Sequence, residues 1–215
     1  ICRSLNLDAD RAAQLIYLDS LVDSSAIDEF LVRSVRQNGF AEEPASAGRQ
    51  FMRELPSGAP YGRILDEAAQ AVVAGQCVLV EDKRERILII GAFEAPGRQV
   101  EEPKSEPTIR GPQEGFTESI RTNIGLIRKR ITSPKLRFEN MTIGSRSAST
   151  VMIAWMDGLA PEALVREARS RLAAIRTDSV LESSYLEEYI QDRILSPFPT
   201  ILNTERPDKT AAHLL

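Results

Sequence analysis

The apolar residues fall into short blocks whose spacing predicts strands alternating with helices. Leu5 and the run Leu15-Ile16-Tyr17-Leu18 flank a polar turn at Asp8-Ala9-Asp10-Arg11, a strand, turn, strand pattern. A helix is expected from about Ser25 to Gln37, with Ser24 or Ser25 as N-cap. Ile27, Phe30, Leu31 and Val35 line one of its faces and Gly39 stops it. A second helix, about Arg63 to Ala74, ends at Gly75 and leads into Cys77-Val78-Leu79-Val80, a polar turn, and Ile87-Leu88-Ile89-Ile90. Those last two runs lack polar alternation, the mark of strands covered on both faces, and predict a hairpin.

Part of this pattern recurs 138 residues further on. Leu15 to Leu21 aligns with Ile153 to Leu159, so that Tyr17 falls on Trp155 and Asp19 on Asp157. Upstream, Leu5 falls on Ile143 and the first turn on Arg146-Ser147-Ala148-Ser149. Downstream, a helix is expected over about Pro161 to Ile175, with Leu164, Val165, Ala168, Leu172 and Ile175 at helical spacing. Thr210 to Leu215 matches the helix that precedes Gly75, so the second copy is expected to be cut off before its closing hairpin. Between the copies, Ala95 to Pro107 carries Pro96, Pro103 and Pro107 with no apolar period and reads as a linker. A patterned helix follows, roughly Thr117 to Ile131, with Ile120, Ile124, Ile127 and Ile131 on one face.

Composition narrows the functional classes. A hydrophobic share of 42% and a charged share of 27% over 215 residues belong to a globular chain with a sizeable core. A formal net charge of -4 argues against a nucleic-acid surface, since phosphate neutralisation needs concentrated Lys and Arg. Cys2 and Cys77 form neither a disulfide framework nor a zinc knuckle, so a reduced, intracellular setting is expected. No window approaches the length of apolar sequence a membrane-spanning helix needs. Ile1 at the start and a helical pattern at Leu215 suggest a fragment of a longer protein.

The search for chemistry yields little. His213 is the single histidine, and neither a G-x-x-x-x-G-K-S/T nor a G-x-G-x-x-G phosphate loop is present. The pairs Glu42-Glu43, Glu101-Glu102 and Glu187-Glu188 read as solvated carboxylates. Neither an enzymatic reaction nor a cofactor is expected. Asp19 and Asp157, at strand ends, suit hydrogen bonding to the following turn or, alternatively, a ligand contact beyond a sheet. Arg128-Lys129-Arg130 forms a local basic cluster, either a solvated face or a contact for anionic headgroups or an acidic neighbouring subunit, to which Glu182, Glu187 and Glu188 would be suited.

Two stretches are more specified than their polarity requires. Arg110-Gly111-Pro112-Gln113-Glu114-Gly115-Phe116-Thr117-Glu118 has glycines and a proline that bend the backbone before a helix that Thr117 can cap. Ser196-Pro197-Phe198-Pro199 leads to Asn203-Thr204-Glu205-Arg206-Pro207-Asp208-Lys209, where Pro207 suits a first helical turn. The first stretch is similar to the R-G-P-x-E-G-F-T-E signature of GerA-family spore germinant receptor A subunits. Arg121-Thr122-Asn123, Leu126 to Ile131, Ser133-Pro134, Thr142-Ile143-Gly144, Leu181-Glu182-Ser183 and the second stretch follow in family order. The resemblance is close over about Glu106 to Leu215 and looser before it. Gln113 and Ser20 depart from it, standing where the family commonly has a basic residue and Gly.

The resemblance implies the cytoplasmic amino-terminal domain of a membrane protein of the spore inner membrane. Its implied partners are a permease-like B subunit, a lipoprotein C subunit and further A subunits in a homo-oligomer, with a small nutrient as possible ligand and no nucleic acid. A SpoVAF-type relative, which is not a nutrient receptor, shares the same region. The expected fold is α/β: two related subdomains, each a small mixed sheet packed with helices, over 1–94 and 111–215, joined by a Pro-containing hinge at 95–110. Arg110, Gly111, Pro112, Glu114, Gly115, Glu118 and Arg121 are the candidate hinge or interaction residues. The alternatives are a two-lobed module that binds a small molecule in its cleft, or the soluble domain of the SpoVAF-type relative.

Overall fold

The computed structural model describes residues 1–8, 11–29, 52–54, 61–81, 86–91, 111, 114–192 and 200–215. The chain divides into two compact units, Ile1–Val100 with Arg121–Pro134, and Glu101–Ile120 with Lys135–Leu215.

Among the described residues the first unit has a sheet of five strands: β1 (Cys2–Asp8), β2 (Arg11–Ile16), β3 (Met52–Glu54), β4 (Cys77–Glu81) and β5 (Arg86–Ile90), ordered β1-β2-β4-β5-β3. A helix α1 starts over residues 24–29, and the remainder of its expected span lies outside the described residues. Helix α2 (Tyr61–Val73) ends in a turn at Gly75, whose φ of 82° is the left-handed region that glycine enters without a Cβ clash. One face of the sheet buries Ala13, Leu15, Tyr17, Cys77, Leu79, Leu88 and Ile90 with Val22 and Ile27. The other packs Val78 and Ile89 with Ala71, Ile64, Ala68 and Val72 of α2. Cover on both faces is why the β4 and β5 runs carry no polar alternation.

The second unit is built on the hairpin of β6 (Leu136–Ile143) and β7 (Ser149–Met156), with helices α4 (Glu162–Ala174), α5 (Ser183–Ile190) and α6 (Pro207–Leu214). Ile143, Leu172, Ile175 and Val180 form its core, joined by Met141, Val151, Ile153, Leu186 and Ile190. The hairpin turn is pinned from outside, since the amides of Arg146 and Ser147 both donate to the Asp178 carbonyl, at 2.8 and 3.1 Å. Helix α3 (Ile120–Arg130) lies between the two hairpins in sequence, yet from Arg121 onward it groups with the first unit.

The α/β plan is the expected one, with corrections. Strand pairing among the described residues is antiparallel throughout, not mixed. Helix α3 starts at Ile120, later than expected, because the Thr117 hydroxyl accepts from the Ser119 amide at 3.2 Å and holds a turn ahead of the helix. Leu164, expected on the buried face of α4, is 63% exposed. Registers Leu5↔Ala13 and Met141↔Val151 give Leu5 the place of Met141, two residues before Ile143, because the second hairpin has the longer turn. Beyond β2 and β7, helices α1 and α4 start 138 residues apart, at residues 24 and 162, but α6 starts 146 residues after α2. Strand β3 and helix α5 are additions that the residue pattern did not reveal.

Candidate functional site

Among the described residues of the first unit, the most elaborate polar arrangement surrounds Asp19, in the turn that follows β2. Arg121, in the first turn of α3, lays its guanidinium on this turn. Its Nε and Nη2 donate to the Asp19 carbonyl at 3.0 and 2.7 Å, Nη2 donates to Asp19 Oδ1 at 2.9 Å, and Nε stands 2.8 Å from Oδ2. Ser24 at the start of α1 donates its hydroxyl to Asp19 Oδ1 at 3.0 Å. One carboxylate thus binds the strand-end turn to two helix starts. A charge-assisted, forked contact of this kind carries direction as well as energy.

Gly125 lies one helical turn after Arg121, on the same face of α3. A Cβ there would fall 2.6 Å from the Ser20 carbonyl oxygen, closer than atoms can pack. The helix therefore presses its backbone on the turn that Arg121 grips. Gly125 escaped the sequence reading because an isolated glycine in a helical pattern resembles a weak position; its spacing of four from Arg121 was the available signal.

Asp157, the counterpart of Asp19, is held by another arginine. Arg137 of β6 donates Nε and Nη2 to Asp157 Oδ2 at 3.3 and 3.1 Å, and the Asp157 amide donates to the Lys135 carbonyl at 2.9 Å. Both side chains are about half exposed, so this pair is the weaker clamp. The two repeats share the aspartate and recruit the arginine from different elements.

The remaining candidates scatter. Arg110 and Pro112 lie outside the described residues. Gly111 has φ 123°, Gly115 is buried, Glu114 is half-buried and Glu118 is exposed. The Phe116 amide donates to the Glu205 carbonyl at 2.7 Å, which joins the two specified stretches of the second unit. Of the hinge candidates, Arg121 alone is in the first unit. In the basic cluster, Lys129 is exposed, burial lowers the pKa of Arg128, and Arg130 donates to the Leu126 carbonyl at 3.0 Å.

Chemistry beyond these clamps is sparse among the described residues. They hold no cluster of three or more metal-ligating side chains and no helix long and apolar enough to cross a membrane. His213 is exposed on α6. Cys77 is fully buried, and desolvation pushes its thiol up to about 12, so the nucleophilic thiolate is suppressed. Two concave surfaces, one in each unit, carry no aromatic side chain.

The class these features define is a two-unit α/β module on antiparallel sheets, with arginine–aspartate clamps at matched strand ends. The chain belongs to the GerA family: the family model for the Bacillus/Clostridium GerA spore germination protein matches residues 1–215. It is 33% identical to spore germination protein KA of Bacillus subtilis over 202 residues, covering 94% of this chain and 37% of that protein. Against spore germination protein B1 of the same organism it is 32% identical over 210 residues, covering 97% of this chain and 43% of that one. The crystal structure of the N-terminal domain of the A subunit of the Bacillus megaterium spore germinant receptor GerK3 matches with a TM-score of 0.65 at 28% identity. That match covers 100% of this chain and 80% of that one. The chain thus spans about two fifths of the length of these curated relatives.

Proposed function

We propose that this chain is the amino-terminal region of a germinant-receptor A subunit and takes part in nutrient-triggered spore germination through receptor assembly and signal transmission. The observation that carries the reading is the family match along the whole chain, with relatives named as spore germination proteins. The physical reading points the same way, because the best-built polar groups are clamps between elements of the chain, Arg121 on Asp19 and Arg137 on Asp157. In this reading the domain lies on the cytoplasmic side of the spore inner membrane. It works beside a permease-like subunit, a lipoprotein subunit and further A subunits. Residues 110–121, which lead into the Arg121 clamp, set how the incoming chain is delivered to α3.

The test is a spore-forming strain deleted for the full-length gene and complemented with either the intact gene or one lacking residues 1–215. The expected result is nutrient-triggered germination with the first and loss of that response with the second, spore formation and membrane insertion of the truncated product being retained. An unchanged nutrient response without residues 1–215 would overturn the proposal.

A further inference from the structure

We propose that the outer edge of β7 is the docking site of a β-strand supplied by the segment of the full-length protein that follows helix α6. The inference comes from comparing the two repeats. In the first unit, β2 is flanked on one side by β1 and on the other by β4, with Gln14 opposite Val80 and Leu15 opposite Leu79. Strand β4 arrives directly after α2 and the Gly75 turn. In the second unit β7 holds the place of β2, β6 that of β1, and α6 that of α2. Among the described residues, β7 has β6 on one side and no strand on the other.

The composition of β7 fits an interior strand rather than an edge. Ser149–Met156 reads Ser-Thr-Val-Met-Ile-Ala-Trp-Met, with no charge and no proline. Proteins protect open edges with charges, prolines or bulges, because bare backbone donors and acceptors recruit other strands. The outer strands here carry that protection: β6 has Arg137 and Glu139, and β1 has Arg3 and a register shift near its end. Strand β2, which has a neighbour on each side, carries one charge, Arg11 at its first position, whereas β7 carries none.

Burial gives the same answer. Ala13 and Leu15, at the places of Val151 and Ile153, are 2% and 1% exposed, whereas Val151 to Trp155 are all only half-buried. The difference lies on the face that Ala13 and Leu15 share with Val151 and Ile153, since Ala12 and Gln14 on the other face of β2 are exposed even with both neighbours present. A two-stranded hairpin is also a marginal sheet by itself. The following segment is favoured over a second copy because the first unit already uses this connection, helix, glycine turn, then strand, to fill the equivalent edge.

The test uses the full-length protein in its native membrane, with photoreactive benzoylphenylalanine at Met152 in one variant and at Gln14, its counterpart, in another. The Gln14 probe is the internal standard and links to the peptide around Val80. The expected Met152 adduct is intrachain, to the peptide directly after α6. Amide exchange on the unsubstituted full-length protein is the second readout. A filled edge protects consecutive amides of β7, whereas an open edge leaves alternate ones exchanging on the order of a hundredfold faster. A Met152 adduct to a second copy or to another protein overturns the proposal. So does alternating fast exchange along β7, or the absence of a Met152 adduct while Gln14 links to β4.

Discussion

At the scale of single residues, the close approach at Gly125 reverses an ordinary expectation. Gly→Ala inside a helix normally stabilises by about 1 kcal/mol, through backbone entropy. Here the new methyl would meet the Ser20 carbonyl at 2.6 Å, so the turn or the helix must move. Gly125→Ala should lower stability by roughly 1–3 kcal/mol, in line with other overpacking substitutions. Gly62, with open space around its Cβ position, is the control, and Gly62→Ala should be neutral or stabilising in the same urea titration. The two cysteines make a second contrast. Cys2 is exposed, while Cys77 is buried with its thiol pushed up to about 12. At pH 8 the native protein should show one thiol reacting rapidly with a disulfide reagent and a second reacting only on unfolding. Cys2→Ser should abolish the rapid phase, and two equally rapid thiols would contradict the buried assignment.

At the scale of elements, pairs between a helix and its neighbours should give the second unit an acid-sensitive share of its stability. Hydrogen bonding to Arg169 of α4 holds the Glu139 carboxyl of β6 below the usual range, with donors at 2.8 and 2.6 Å from its two oxygens. Asp208, in the first turn of α6, is lowered likewise by hydrogen bonding to Arg206. Both are acids with depressed folded-state values, so their stabilisation is fully present above the unfolded carboxyl pKa of about 4 and fades as pH falls through the lower folded values. Arg169→Met should weaken the protein at pH 7 and flatten its loss of stability between about pH 5 and pH 2, read as the midpoint of urea unfolding against pH. Equal slopes for wild type and variant would contradict this. The elements that were legible in the sequence are those whose apolar residues repeat without interruption, such as β4, β5 and β7. Helix α5 was hidden because it buries no residue fully and exposes Tyr185 and Tyr189, leaving Leu186 and Ile190 as a faint stripe. The two aspartates were readable from the repeat, but their arginines were not. Arg121 lies 102 residues from Asp19, and the repeat is silent about it because Asp157 takes its arginine from a neighbouring strand.

At the scale of the whole molecule, the clamp at Asp19 can be separated from mere stability by charge exchange. Arg121 is about half exposed, so loss of its ion pair alone should cost little, on the order of 1 kcal/mol, with the contacts to the Asp19 backbone adding a similar amount. Arg121→Glu places two carboxylates at the same turn and should displace the start of α3 while leaving the sheet cores, which lack this residue, intact. If residues 110–121 act in signalling through that anchorage, spores carrying the full-length Arg121→Glu subunit should lose nutrient-triggered germination out of proportion to the change in thermal unfolding. Asp19→Arg combined with Arg121→Asp restores opposite charges but replaces the long fork on α3 with a short carboxylate, so stability should recover more than germination does. The paired measurement is the unfolding midpoint of each purified domain beside the germination rate of the matching strain. A germination loss that tracks stability across Arg121→Ala, Arg121→Glu and the exchanged pair would reduce the clamp to a fold-stabilising contact. Fully responsive Arg121→Glu spores would remove it from the signalling path altogether.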